Sequence, residues 1–214
     1  FSGEDVLAWY ARILKLDERV ATSKFGVEPK IDGLTVVLHD ENGLFIKGAT
    51  RGDGVTGEDI TANLRTIRSL PLRIPVNKID FNPPQKLVVR GEAFIHTAEF
   101  DKLNAKLAQD GEKVYLNPRN TAAGSLRQLD PSLTASRPLT ILTYQIVEFD
   151  GDNPPQTQWQ VLNFLSKMGF PVTKLAMLCD DIHEAIRACL AAGDTRDQIP
   201  FEIDGMVIKL NDLE

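Results

Sequence analysis

The chain has 214 residues, 43% of them hydrophobic and 25% charged, with 24 basic against 30 acidic side chains and a net charge of −6. This length and balance fit one large domain or two lobes around a packed core, and exclude disordered, collagen-like and coiled-coil classes. The acidic excess is not the footprint of a stand-alone nucleic-acid binder, so a polyanion partner has to be held by a local patch or by parts outside this chain.

Behind Ser2, Glu4 and Asp5, which favour a helix start, Val6, Leu7, Tyr10, Ile13 and Leu14 recur at helical spacing and predict an amphipathic helix over residues 4–17. The chain begins without methionine and without a basic-then-apolar leader, as expected of a piece of a longer cytoplasmic polypeptide. From Val27 the pattern turns to short β-branched runs, and Asp40-Glu41-Asn42-Gly43 predicts a hairpin between residues 35–38 and 44–46. Helices are expected over 58–69, 98–109, 157–168 and 181–191, and strands over 86–95, 139–149 and 201–210, an α+β mixture with antiparallel sheet. The breaks at Pro83-Pro84 and Pro154-Pro155 are too short to be flexible linkers. Cys179 and Cys189, on what reads as a helix with only His183 nearby, form neither a C-x-x-C pair nor a zinc site, and read as two reduced, mostly buried thiols. No apolar run reaches the ~18 residues of a membrane span.

Three strands carry charge in an apolar frame. In Val27-Glu28-Pro29-Lys30-Ile31-Asp32-Gly33 the alternation of a strand puts Glu28, Lys30 and Asp32 on one face, ~6.6 Å apart in turn, and Val27, Pro29 and Ile31 on the other. Lys209 shares a face with Val207 in a mostly apolar run, and Arg90 and Glu92 face together around Gly91. Lys30 can act as a nucleophile only as the neutral amine. At an unperturbed pKa of ~10.4 that form is about 0.04% of the total at pH 7, a penalty of roughly 4.6 kcal/mol. Burial and a neighbouring cation, Lys209 or a hydrated metal, would lower it, while ionised Glu28 and Asp32 oppose. At least one of those carboxylates must therefore turn toward something other than Lys30.

Gly52-Asp53-Gly54-Val55-Thr56-Gly57 matches G-x-G-x-x-G literally, yet a hairpin leads into it, Asp53 stands where a pyrophosphate would approach, and no second buried parallel strand follows. A dinucleotide-binding turn is rejected on those grounds. The loop delivers Arg51 at a strand end, where a guanidinium can clamp phosphate or ribose oxygens.

With Lys30-Ile31-Asp32-Gly33 followed by Thr50-Arg51-Gly52-Asp53-Gly54, Gly91-Glu92, the run from Asn117-Pro118-Arg119-Asn120 to Ser125-Leu126-Arg127-Gln128, and Asp204-Gly205-Met206-Val207-Ile208-Lys209, the chain resembles the bacterial NAD-dependent DNA ligases, in order and over almost its whole length. K-x-D-G alone is shared with ATP ligases, RNA ligases and capping enzymes. The stretches 50–61 and 117–128 select the NAD-dependent family. The resemblance implies a nucleotidyltransferase (ATP-grasp-like ligase) fold, with antiparallel sheets flanked by helices around a central nucleotide cleft. Residues 1–18 would be a helix tethering an N-terminal module, and 19–214 an adenylation core in two lobes. It also implies a lysine that attacks the adenylyl phosphorus of NAD, releases nicotinamide mononucleotide and passes AMP to a DNA 5′-phosphate, the nick sealing of replication and repair.

Carried onto matching positions, the resemblance makes Lys30 the nucleophile, with Asp32 orienting it or a hydrated Mg²⁺ and Ile31 beside it against the nucleotide. Glu28 would read the adenine amino group, Arg51 and Glu92 the ribose, and Lys209 adenine and phosphate. Tyr144 would stack on adenine with Val207 covering its other face. Residues 114–140 hold Arg119, Arg127 and Arg137 against Asp130 alone, around the small-residue run 121–125. Arg119 and Arg127 are read as a DNA-phosphate surface, the alternative being helix-terminal arginines paired to carboxylates. Met206 and Thr35 depart from the family pattern, which favours a β-branched residue and alanine there. Zinc is expected only in the family's C-terminal modules, beyond Glu214. The partners implied are NAD or AMP and nicked duplex DNA, the latter bound weakly by a monomer of this piece. Two rival readings are an ATP-dependent polynucleotide ligase or capping-type enzyme and a non-catalytic adenine-nucleotide binding module.

Overall fold

In the computed structural model, which describes residues 2–75 and 82–214, helix α1 (Gly3–Leu16) is fixed by its own cap. Ser2 Oγ accepts the Asp5 N–H at 3.2 Å while the Asp5 carboxylate accepts the Ser2 N–H at 2.8 Å, a reciprocal capping box. The inward stripe of α1 is Val6, Trp9, Tyr10, Ile13 and Leu14, with Trp9 and Tyr10 edge-on to Phe25 at centroid distances of 6.4 and 6.0 Å. Trp9 takes the place expected of Leu7, which stays exposed.

Two antiparallel sheets follow. The first, ordered β6-β1-β7, joins β1 (Phe25–Ile31) to β6 (Met177–Cys179) and β7 (Ile203–Leu210). The second, ordered β3-β2-β4-β5, holds β2 (Leu34–Glu41), β3 (Leu44–Thr50), β4 (Lys86–Ile95) and β5 (Leu139–Asp150). Asn42 and Gly43 turn the β2–β3 hairpin with φ of 51° and 77°, the left-handed pair that matches strand twist. Helices α3 (Thr97–Gln109), α6 (Gln158–Lys167) and α7 (Ile182–Asp194) lie within a few residues of their expected places.

Four expectations are corrected. The helix expected over 58–69 is only α2 (Thr61–Leu64), after which the chain runs in tight turns: Ile67 N–H bonds Leu64 C=O and Leu70 N–H bonds Ile67 C=O. Its core residues Leu64, Ile67 and Leu70 recur every third position, which suits three-residue turns better than an α-helix. Two short helices were not foreseen, α4 (Pro118–Leu126), capped by Asn117, and α5 (Pro131–Ala135), capped by Asp130. Both carry proline in the first turn, but α4 has too few large apolar residues to show a helical stripe. Cys179 ends strand β6, not a helix, and strand β7 starts at Ile203 instead of residue 201.

Each sheet has its own core. Under the first lie Val20, Phe25, Val27 and Ile182, and under the second Val36, Leu38, Phe45, Leu87, Val89 and Ile141, closed off by Val161 and Leu165 of α6. Asp40 on β2 is the anomaly: it is 1% exposed, neither carboxylate oxygen has a hydrogen-bond partner among the described residues, and burial raises its pKa to about 7. No helix among the described residues is long and apolar enough to cross a membrane.

Candidate active site

The alternation of β1 separates its two chemistries. Phe25 and Val27 enter the core of the first sheet, while Glu28 and Lys30 face a cavity of about 340 Å³ between the two sheets. Val207 and Lys209 of β7 line it from the same side. Thr35, Glu92 and Tyr144 line it from β2, β4 and β5, Arg51 from the loop after β3, and Arg119 from α4. A larger, more open depression of about 890 Å³ between the start of α3 and the turn Arg196–Gln198 holds none of these residues except that it adjoins β7 at Ile203.

The charges around the cavity are partitioned in pairs. Glu28, 4% exposed, accepts from Lys209 Nζ at 2.9 Å and from Gln158 Nε2 at 2.8 Å, both on Oε1. The Lys209 ammonium also stands 5.3 Å from the centroid of the Tyr144 ring, within cation–π range. Asp32 is ion-paired to Arg119, so both carboxylates expected to compete for Lys30 are turned elsewhere. Asp32 itself stands at the rim behind Arg119, its N–H bonded to Glu202 C=O at 2.9 Å. The turn it belongs to presses on β4: a Cβ on Gly33 would lie 2.4 Å from Ala93 C=O, so only glycine lets the β1–β2 connection close there.

Lys30 has a partner that its own strand did not announce. Its Nζ lies 2.5 Å from Asp204 Oδ2, with both side chains about half exposed, 52% and 53%. The register explains it: Lys30 pairs with Gly205 and Ile31 with Ile203, so Asp204 is the extra residue of a β-bulge, re-aimed out of the ladder. The ammonium beside it holds the Asp204 carboxyl below the usual carboxylate range. The amine is therefore at the cavity mouth, where the sequence reading relied on burial.

Glu92 is the most perturbed group of the cavity. Burial raises its pKa to about 7, against the opposing pull of a 2.9 Å hydrogen bond from Thr35 Oγ1 and the nearby Arg119 and Lys30 charges. Burial, with the Glu92 charge next, takes the Tyr144 phenol up to about 12, so it remains a neutral ring at physiological pH. Arg127 lies outside the cavity, paired through Nε to Glu58 Oε2 at 2.6 Å. Both Arg119 and Arg127 thus have carboxylate partners, and only Arg119 opens on the cavity.

The structure therefore brings Glu28, Lys30, Ile31, Arg51, Glu92, Arg119, Tyr144, Val207 and Lys209 to one cavity, with Asp32 one contact behind. Three residues were missed. Asp204 was visible as an Asp-Gly pair interrupting a strand, a bulge signal; Thr35 was noted only as a departure from alanine; Gln158 had no sequence signal. Among the described residues no group of three or more His, Cys, Asp or Glu side chains can cage a metal.

A family model described as NAD-dependent DNA ligase adenylation domain matches residues 1–214. The chain is 46% identical over 220 residues to a DNA ligase of Roseiflexus sp. (strain RS-1), covering 98% of this chain and 30% of that protein. It is 50% identical over 201 residues to a DNA ligase of Caldicellulosiruptor bescii, covering 93% and 28%, and 43% identical over 215 residues to one of Azotobacter vinelandii, covering 100% and 27%. The chain thus spans less than a third of the length of these curated relatives. Among solved structures, a mycobacterial DNA ligase D complexed with ATP and MES shares the fold, with a TM-score of 0.51 over 90% of this chain and 51% of that one at 14% identity.

Proposed function

The chain belongs to the family of NAD-dependent DNA ligase adenylation domains, and from that premise we propose that it takes the adenylyl group of NAD onto Lys30 as the first step of nick sealing. The observation that supports this most is the convergence of Lys30 with Glu28, Arg51, Glu92, Tyr144 and Lys209 on one cavity between two sheets. Its volume is within the usual range for small-ligand sites.

In this reading adenine lies between Tyr144 and Val207 with its amino group toward Glu28, and the ribose hydroxyls meet Arg51 and Glu92. Lys209 and Arg119 neutralise phosphate oxygens. The Lys30 ammonium gives up one proton to water at the cavity mouth, the freed electron pair attacks the adenylyl phosphorus, and the nitrogen sheds its second proton to water once bonded. A nitrogen–phosphorus bond forms, the phosphorus–oxygen bond to nicotinamide mononucleotide breaks, and that group leaves with the pair. The contact of Lys30 with Asp204 is half exposed and therefore weak, so releasing the amine costs little beyond its deprotonation. Positioning and charge neutralisation supply most of the catalysis in such transfers.

Mg²⁺ fits the residues present, because it binds through one or two carboxylates plus substrate phosphates rather than in a protein cage. Asp204 or Asp32 would hold it, and it would supply charge neutralisation at the transferring phosphate. DNA is the later acceptor, its 5′-phosphate oxygen displacing Lys30 from phosphorus and returning the amine, with Arg127 contacting the DNA backbone. In the same reading α1 tethers an N-terminal module, the piece is a monomer, and its role is cytoplasmic, in replication and repair.

Intact-mass measurement after incubation with NAD and Mg²⁺ tests the proposal. One adenylyl group is expected to accumulate slowly, with release of nicotinamide mononucleotide, and none from ATP. An adduct from ATP alone, or none from NAD after prolonged incubation, would overturn it.

A further inference from the structure

We propose that Gln158 determines which nucleobase the cavity accepts, by occupying one oxygen of Glu28 and leaving the other as the cavity's acceptor. This rests on the adenylyl-transfer reading and adds to it a positioning residue that touches no substrate.

Gln158, at the start of α6, is 4% exposed, and both N–H groups of its amide are used: one donates to Glu28 Oε1 at 2.8 Å, the other to Tyr144 C=O at 2.9 Å. Two acceptors on the amide nitrogen fix its orientation, since the amide oxygen could satisfy neither. Lys209 Nζ supplies a second donor to the same Oε1 at 2.9 Å. Glu28 Oε2 has no donor from the described protein and is not among the buried unpartnered atoms, so it opens on the cavity that Glu28 lines.

The support is continuous. Gln158 N–H bonds Asn211 C=O at 2.7 Å and Trp159 N–H bonds Asn211 Oδ1 at 3.0 Å, two residues beyond Lys209 on the same segment. Both donors to Oε1 therefore belong to elements bonded to each other, and the carboxylate cannot rotate without breaking one of them.

A fixed carboxylate oxygen with no donor of its own accepts an N–H and repels a carbonyl. A 6-amino purine presents the former and a 6-oxo purine the latter. A site built for an N–H discriminates strongly against a ligand lacking it, because its buried acceptor is left unpaired. Without Gln158 only the flexible Lys209 stem holds Glu28, and the carboxylate is free to turn toward the N1–H of a 6-oxo purine.

The test is titration of the chain with AMP and with IMP, by calorimetry or by the fluorescence of Trp159. The parent is expected to prefer AMP, and Gln158→Met, of similar length but without a donor, to remain folded at a lower melting temperature, because the Tyr144 carbonyl loses its donor, and to lose about tenfold of that preference, the equivalent of one hydrogen bond. Should Gln158→Met not fold, Gln158→Asn, one methylene too short to reach both acceptors, is expected to give the same loss. A folded variant with the parent's preference overturns the role of Gln158, and a parent that binds both equally overturns the assignment of Oε2. A parent that binds neither nucleotide instead contradicts the adenylyl-transfer reading itself.

Discussion

At the scale of single residues, the cavity separates charges that a strand would have crowded together. Glu28, Lys30 and Asp32 follow one another at alternate positions, yet each has a different partner: Lys209, Asp204 and Arg119. The remaining acid, Glu92, has a hydroxyl partner instead of a cation, and burial keeps its pKa at about 7. To bind ribose hydroxyls as an acceptor of both, it has to be ionised. Affinity for adenosine, which has no phosphate of its own to titrate, should therefore rise as pH passes upward through about 7. Thr35→Val removes the hydrogen bond that favours the ionised form and is expected to move that rise to higher pH. Calorimetric titration between about pH 6 and 8.5 measures it; a flat profile, or a midpoint unmoved in the variant, contradicts the assignment.

At the scale of elements, the hairpin β2–β3 carries a pH-dependent weakness. Asp40 has a pKa of about 7 in the fold and 3.8 in the unfolded reference, so between those values the folded chain holds a proton that the unfolded chain has released. Stability contributed here is therefore lost as pH rises from about 4 to about 7, by roughly 4 kcal/mol if the whole shift counts. His39, kept below the usual imidazole range by burial and by Lys47 and Lys86, acts in the opposite sense. The readout is accordingly the difference between melting curves of the parent and Asp40→Asn: the variant should lose the decline over that window, and equal slopes would refute the claim. The hairpin was legible because Asn-Gly dictates its turn, and β4 because Leu87-Val88-Val89 and Ala93-Phe94-Ile95 form a short, largely apolar run of strand length that is buried almost throughout. α4 was not, because its helix is specified by the Asn117 cap and Pro118 while its interior is small and polar. The helix expected over 58–69 is not formed beyond Leu64 because the buried residues Leu64, Ile67 and Leu70 recur every third position, the period of tight turns and not of an α-helix.

At the scale of the molecule, two sheets with separate cores put their charged faces on a shared cavity, a relation that no local pattern encodes. Glu28, Lys30 and Asp32 alone would fit an ordinary solvent-facing strand, and the site was legible because they stand in an ordered series with the stretches 50–61, 91–92, 117–128 and 204–209. The pairing across sheets, and the bulge that aims Asp204, required the tertiary register. The same scale limits DNA binding. With a net charge of −6, and with Arg119 and Arg127 already paired to carboxylates, the chain can release few counterions. Nicked duplex should bind weakly at physiological salt and somewhat better at low salt, by fluorescence anisotropy; sub-micromolar affinity at physiological salt would contradict this.

If the Lys30 amine forms the covalent bond to the adenylyl group, tandem mass spectrometry of peptides from chain treated with NAD and Mg²⁺ will locate the modification. The adenylyl group is expected on Lys30, and in Lys30→Ala it should disappear while AMP binding is retained. An adduct on Lys209 or Lys24, or one that survives the substitution, would contradict it.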